Sequence, residues 1–458
     1  SVRYIGNSAF SGCVKLAKIN IPEGVTHISS FAFSGCKALT AITLPESVTW
    51  IGMYAFNDCI KLAAINIHEY ITQIFSGAFQ NCAALTRIDL PDGLDKINSN
   101  LFDGCKKLET VTIPETVTSI GSNAFNGCKK LKGIVIPTTV DEIGRFAFNE
   151  CQSLTQIEIP EGVETLEDLT FSDCTGLTSV TLPSCLTVME DYVFHGCKNL
   201  RKISIPSGIE KMGDGVFGGC EKLTEITLPA DMTAISDDLF KDCTGLKKVV
   251  IPSSITTIGT CAFAGCSNLT TISIPKDVTT IGDGAFMGCS SLTSITLPQG
   301  IEAIADSLFD GCSSLKKITI PESVETIGDQ AFNACAALTE VTIPDGVKTI
   351  GSFAFDDCTA LKSASLPGGV ELGTWAFPDE VDVTYRLGNG RSTKRKPDST
   401  SVSSSTPSQQ AASSKKTVGR YMAVMPADEL YSHYGKISLK AWVSAMFRIM
   451  ERSSRLSI

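Results

Sequence analysis

Apolar and polar positions follow each other along this chain in a frame that repeats every 23 residues. Phe recurs at that interval from Phe10 to Phe355, Leu from Leu16 to Leu361 and Cys from Cys13 to Cys358, each in sixteen consecutive units. Pro does the same from Pro22 to Pro367, with His68 as the one departure. The frame loses a single residue near Leu372 to Phe377. Within a unit, Leu16, Ile19 and Ile21 end in alternation, which predicts a short strand with Ile19 and Ile21 inward and Asn20 outward. Pro22 has no N–H to give a ladder and ends the strand. A turn follows, often with Gly in third place, as at Gly24, Gly93, Gly162 and Gly346. Val25 and Ile28 predict a second extended piece. Gly at the position of Gly6, as in Gly52, Gly121 and Gly144, predicts release into a short helical or 3₁₀ turn ending in Ala-Phe.

One unit of this size cannot bury its apolar face alone, whereas stacked units can. Parallel strands sit ~4.8 Å apart, so sixteen coils span about 75 Å, with Phe, Cys and Leu in internal columns. The predicted fold is a β-rich solenoid of about 16 coils of 23 residues, with short parallel strands and short helical turns. Length alone suggests about three domains, but an array lengthens without adding domains.

The signature Leu108, Val111, Ile113, Pro114, Val117, Ile120, Gly121, Ala124, Phe125, Cys128, repeated along residues 2–377, resembles the leucine-rich repeats. It is most similar to the 23-residue bacterial-surface-antigen class, the BspA-like family. The Pro and the Ala-Phe-x-x-Cys element separate it from ordinary leucine-rich repeats, where an Asn ladder follows the strand. The resemblance covers about four fifths of the chain and leaves out roughly the last 70 residues. It implies a leucine-rich repeat fold. Family members are commonly cell-surface proteins of anaerobic bacteria and of some parasitic protists, and several are associated with adhesion to host matrix proteins or other cells. The resemblance therefore implies a non-enzymatic, protein-binding scaffold, secreted or at the cell surface. An intracellular scaffold or regulator is the alternative, and an accessory module of an enzyme whose catalytic domain lies upstream is a third, since one solenoid serves many partners.

Charge divides the chain. Residues 386–458 carry 13 Lys and Arg against 4 Asp and Glu, while residues 1–385 carry 26 against 45. An acidic array argues against nucleic acid as the main partner. No run of 18 apolar residues is present to form a transmembrane helix. The chain starts at Ser1 with no signal peptide before it, the pattern expected of a mature or truncated chain.

Eighteen cysteines invite disulfides or metal. One thiol per coil at a fixed interior place reads instead as a ladder of small buried hydrophobes, with parallel Cβ vectors that suit a disulfide poorly. No Cys-x-x-Cys pair suggests zinc. Cys185 and Cys261 fall outside the column, and Cys185, at a turn, is expected to be exposed and the early-reacting thiol. His27, His68, His195 and His433 form no metal-spaced pair, and neither a Gly-x-Ser-x-Gly elbow nor a phosphate-binding Gly-rich loop occurs. No catalytic set and no cofactor are expected.

The candidate surface lies on outward positions. After the Pro column, Glu23, Glu46, Glu69, Asp92 and Glu115 are acidic in five successive coils, which would stack ~5 Å apart along one edge. Two readings stand: a solvated edge, or a docking strip for a basic protein or a divalent cation, the cation being poorly served by the spacing. Phe31, Trp50, Tyr54, Tyr70 and Phe75 fall in the same coils, either as gap fillers or as interface anchors. A smaller column holds Phe146, Leu169 and Tyr192. The outward strand column, from Asn20 to Thr342, is rich in hydroxyls, with Arg87, Asp89, Gln156 and Glu158 as its variable members.

Past residue 385 the pattern changes. Val381, Val383 and Tyr385 alternate and suggest a capping strand; residues 386–420, rich in Ser, Thr and Lys, read as a disordered linker. Residues 421–458 form a basic tail in which Leu439, Trp442, Met446, Phe447 and Met450 share one face of an expected amphipathic helix. Such a helix lies on an anionic membrane, fills a partner's groove, caps the open end of the array or belongs to a larger domain.

Overall fold

The structure, a computed structural model, describes residues 2–387 and 391–394. These residues wind through about 17 turns of ~23 residues, one repeat to a turn. The fifth coil shows the plan. Its first strand is Thr110–Thr112. Pro114 then opens a tight turn that the Val117 N–H closes on the Pro114 carbonyl at 3.1 Å. The second strand, Ser119–Ile120, follows. A broad turn over residues 122–127 brings the chain back to the next first strand.

Strands pair parallel and one repeat apart. Ser119 lies opposite Lys96 on one side and Glu142 on the other. The lost residue near 372 is absorbed where Thr349 pairs with Glu371. The alternation expected of the first strand holds: Ile42 and Leu44 are buried and Thr43 is exposed. Inside, the Phe rings from Phe10 to Phe377 form one pile, with neighbouring centroids 4.8–6.0 Å apart.

Each periodic cysteine from Cys36 to Cys358 does more than fill space. Its Sγ–H donates to the carbonyl of the Phe in the preceding coil, as Cys243 does to Phe217 at 3.0 Å and Cys36 to Phe10 at 3.2 Å. The same carbonyl accepts the N–H of its own coil's Cys, as Phe217 does from Cys220. Both lone pairs of a buried carbonyl are thereby used, which a Val or Ala column would not achieve.

The expected helical turns are not there: no helix occurs among the described residues. The broad turn is broken by left-handed residues at two places per coil, such as Asn123 (φ 57) and Gly127 (φ 68). In a 3₁₀ helix every N–H points back along its own coil. Here they alternate. Ala124 donates within the coil to Gly121, whereas Asn123, Phe125 and Gly127 donate to Arg145, Ala147 and Asn149 of the next coil. The glycine taken to release the chain has another task. A Cβ on Gly121 would lie 2.6 Å from the Ser99 nitrogen, and one on Gly52 2.5 Å from the Ser30 nitrogen. That column is glycine where the adjacent coil comes too close for a side chain.

At the far end, Asp382–Leu387 pairs parallel with Ser363–Pro367, and Arg391–Lys394 adds an antiparallel edge. The sheet thus runs past residue 385 into the stretch expected to be linker. Arg386 fastens this end, its guanidinium donating to Asp345, to Ser365 Oγ at 2.8 Å and to the Ile343 carbonyl. In the first coil Phe10, Leu16 and Ile19 are only partly buried, and Cys13 is exposed, unlike the rest of its column. The expected tail helix bearing Leu439, Trp442, Met446, Phe447 and Met450, and the linker beyond Lys394, lie outside the described residues.

Candidate binding surface

The Pro turn presents Glu23, Glu46, Glu69, Asp92 and Glu115 outward, all exposed. None of them forms an ion pair among the described residues. Their spacing is set by the turn's backbone: Val48 and Ile71 close it on Pro45 and His68, so the acidic side chains start from the same place in each coil. The hydroxyl or thiol next along adds a tie to the preceding coil, as Ser47 Oγ does to the Val25 carbonyl at 2.8 Å and Thr116 Oγ1 to Leu94 at 2.6 Å. Cys185 occupies this hydroxyl position. Its Sγ–H donates to the carbonyls of Glu161 and Val163, and burial together with Glu161 pushes its pKa up. It is half-buried and hydrogen-bonded, not the freely exposed thiol expected of a turn position.

The aromatics separate into three groups. Trp50 lies on a second strand, Trp50–Ile51, between His27 and Phe75, with ring centroids 5.6 and 4.9 Å away. Phe31 and Tyr54 stack at 5.2 Å on the broad turn, both in left-handed backbone, with Phe31 exposed. Tyr54 covers Gly77, where an added Cβ would come within 2.3 Å of the ring. Tyr70 stands beside Glu69 on the Pro turn, half exposed, 5.9 Å from the His68 ring, whose Nε2 lies 3.0 Å from the Pro45 carbonyl.

Two of these groups adjoin the acidic edge: Tyr70 directly, and Trp50 one strand on from Glu46. Phe31 and Tyr54 lie beyond the second strand, on its opposite border. What results is a second-strand face over the first four coils, with carboxylates along one margin and a stacked pair along the other. Register puts Tyr4, His27, Trp50 and Gln73 in one row, so Tyr4, 67% exposed, and His27 belong to the strip although neither was singled out from the sequence. Aligning all units on the residue before Ile5, Ile28 and Ile51 would have found them. Aromatic rings beside carboxylates suit Lys and Arg side chains, which gain charge pairing and, over a ring face, cation–π contact.

The first-strand face differs. Arg87 and Asp89 pair at 3.0 Å, and hydrogen bonds from Arg87, with a further one from Thr112, hold the Asp89 carboxyl below its usual range. Asn66 folds back on Leu44, with bonds of 2.7 and 2.9 Å to its backbone. These side chains are occupied with one another. An open groove of about 330 Å³ beside Asp141, Glu142, Gly162, Glu164, Thr165 and Glu167 lies on the second-strand side. Among the described residues, no group of three or more His, Cys, Asp or Glu is placed to hold a metal ion, and no helix is long and apolar enough to cross a membrane.

Residues 3–132, 118–247, 233–362 and 279–384 match the family described as BspA type Leucine rich repeat region (6 copies). Among solved structures, a leucine-rich repeat protein from Bacteroides ovatus is 28% identical, with a TM-score of 0.56 over 69% of this chain and 88% of that one. A leucine rich cell surface protein from Faecalibacterium prausnitzii is 30% identical, with a TM-score of 0.49 over 73% of this chain and 87% of that one. No curated protein matches the chain.

Proposed function

The chain belongs to the BspA-type leucine-rich repeat family, and from that membership we propose that it is a non-catalytic, protein-binding scaffold displayed at a cell surface, where it contacts host matrix or other cells. The family's usual location and use support the cellular setting. The observation that carries the binding site is local: the acidic Pro-turn edge and the Tyr4–His27–Trp50–Phe75 strip border one another in the same coils. The partner is a basic protein segment. The carboxylates draw it in at range, and Trp50 supplies the contact that excludes water.

The test begins by screening the full chain against immobilised extracellular-matrix proteins and measuring kinetics on the one that binds. Charge reversal at Glu46, Glu69 and Asp92 to Lys slows association and weakens its salt dependence. Trp50→Ala leaves association alone and speeds dissociation by about tenfold, the scale of an interface anchor. Both variants keep the wild-type melting temperature within a few degrees. Unchanged kinetics in both would move the site elsewhere, first to the Thr-rich first-strand face.

A further inference from the structure

The turn that leads into the first strand carries the opposite charge from the turn that leaves it. Lys15, Lys37 and Lys61 stand on it in the first three coils, all exposed. Lys106 and Lys107 follow in the fifth coil, and Lys129, Lys130 and Lys132 in the sixth. Between Cys13 and Gly133, the one carboxylate on this turn is Glu109, which is paired with Lys132 at 2.7 Å. Lys129 is paired with Glu150 at 2.8 Å. Lys15, Lys37, Lys61, Lys106, Lys107 and Lys130 form no ion pair among the described residues.

The ridge is held from beneath. From the second coil on, a buried Cys and a buried Leu flank the turn, as Cys105 and Leu108 flank Lys106 and Lys107. The Lys106 N–H donates to the Gly104 carbonyl at 2.8 Å, and Lys129 repeats this with Gly127. Stacking sets Lys106 over Lys129 and Lys107 over Lys130, about one strand spacing, ~4.8 Å, apart. Like charges in such a row repel one another, and among the described residues only Lys129 and Lys132 of the row are in ion pairs, with Glu109 also lying near enough to Lys130 to feel its charge. From first coil to sixth the row extends over roughly 24 Å.

We propose that this ridge is a second binding site, for a linear anionic polysaccharide bearing sulfate or carboxylate groups, lying along the stacking direction. The surroundings select the class. The first strand separates the ridge from the Glu23–Glu46–Glu69 edge by about 16 Å, roughly twice the screening length at physiological salt. A thin chain on the ridge therefore meets mainly lysine, the carboxylates of Glu109 and Glu150 being engaged by Lys132 and Lys129. A nucleic-acid duplex or a membrane is broad enough to lie over both margins and meets the carboxylates. Single-stranded nucleic acid binds through aromatic platforms as well as charge, and Phe31, Tyr54 and Tyr70 are on the other two turns. This site is independent of the protein-binding face described above.

The test uses the full chain, with a fluorescein-labelled heparin hexasaccharide as probe and an uncharged hexasaccharide, a fifteen-residue oligo-dT and phosphatidylserine vesicles as comparators. Because the tail is itself basic, the ridge is isolated by substitution. Lys106→Ala, Lys107→Ala and Lys130→Ala together lower hexasaccharide affinity by about tenfold or more and reduce the slope of log K against log salt by two to three. Lys316→Ala with Lys317→Ala, far along the array, changes affinity less than about twofold. Bound hexasaccharide also protects Lys106, Lys107 and Lys130 of the wild type from acetylation, a readout that holds if the triple variant folds poorly. Wild-type-like binding by a folded triple variant, absence of protection, or no hexasaccharide binding at all overturns the site. Oligo-dT or vesicles binding as tightly as the hexasaccharide, with the same loss in the triple variant, overturns the ligand class.

Discussion

A cysteine in this array has two duties, and its substitutions separate them. Cys243→Ala removes the thiol volume and the bond to the Phe217 carbonyl, at a cost of about 1–2 kcal/mol. Cys243→Ser keeps a donor and costs no more than Ala; a denaturant melt of the pair decides, and a clearly worse Ser would mean the thiol is only a hydrophobe. Burial pushes Cys174 and Cys289 up to about 12, so they hold no thiolate at neutral pH. A thiol reagent followed by mass spectrometry should label Cys13 first, Cys185 and Cys261 more slowly, and the rest of the column only on unfolding. The column's burial was legible in sequence because one residue type repeated without exception. The exposure of Cys13 was not, since periodicity places it in the same column as the buried thiols.

Elements show the same division. First strands were legible because Ile42, Thr43 and Leu44 alternate, and the consequence is quantitative: Phe217→Ala should cost roughly 3–5 kcal/mol and Thr227→Ala well under 1 kcal/mol. Equal losses in a denaturant melt would contradict the assignment of inside and outside. The broad turn was misread because its left-handed position holds Phe31, Tyr54, Gly77, Asn100, Leu169 and Cys261 in different coils, with no shared chemistry to mark it. Handedness there is imposed by bonds to the next coil. Gly77 tests this. Gly77→Ala should destabilise by about 1–3 kcal/mol, because it strains the backbone at φ 65 and meets the Tyr54 ring. Tyr54→Ser, the residue this position holds at Ser8 and Ser307, should recover part of that loss in the double variant.

In the first coils of the array charge is laid out by turn, and only part of this shows before the chain is coiled. The acidic edge was legible because one column carries it. The lysine ridge was not, because its charges are spread over neighbouring columns that share a surface only once coiled. A third row, Asp168, Asp191, Asp214 and Asp237, stacks on the broad turn, with Asp191 and Asp214 each donating an N–H to the carboxylate before it, at 3.0 and 2.9 Å. Burial, then Asp191 and Asp237, push Asp214 above its usual range, and burial does the same at Asp306. Both groups hold a proton more tightly folded than unfolded, so stability falls as pH rises through their folded values. Asp214→Asn with Asp306→Asn should therefore be more stable than wild type at neutral pH, and melts at falling pH should show the difference closing near pH 4. The alternating N–H groups of the broad turn carry one more consequence, a mechanical one. They and both sheets bind coil to coil along the stacking direction, so a pull between the ends loads these bonds in tension at the outermost coil rather than shearing them all together. Each coil that peels away frees 23 residues, about 75 Å of extended chain. Drawn out between two anchored surfaces, the solenoid should lengthen in a staircase of near-equal steps and stay attached where a single-rupture fold lets go.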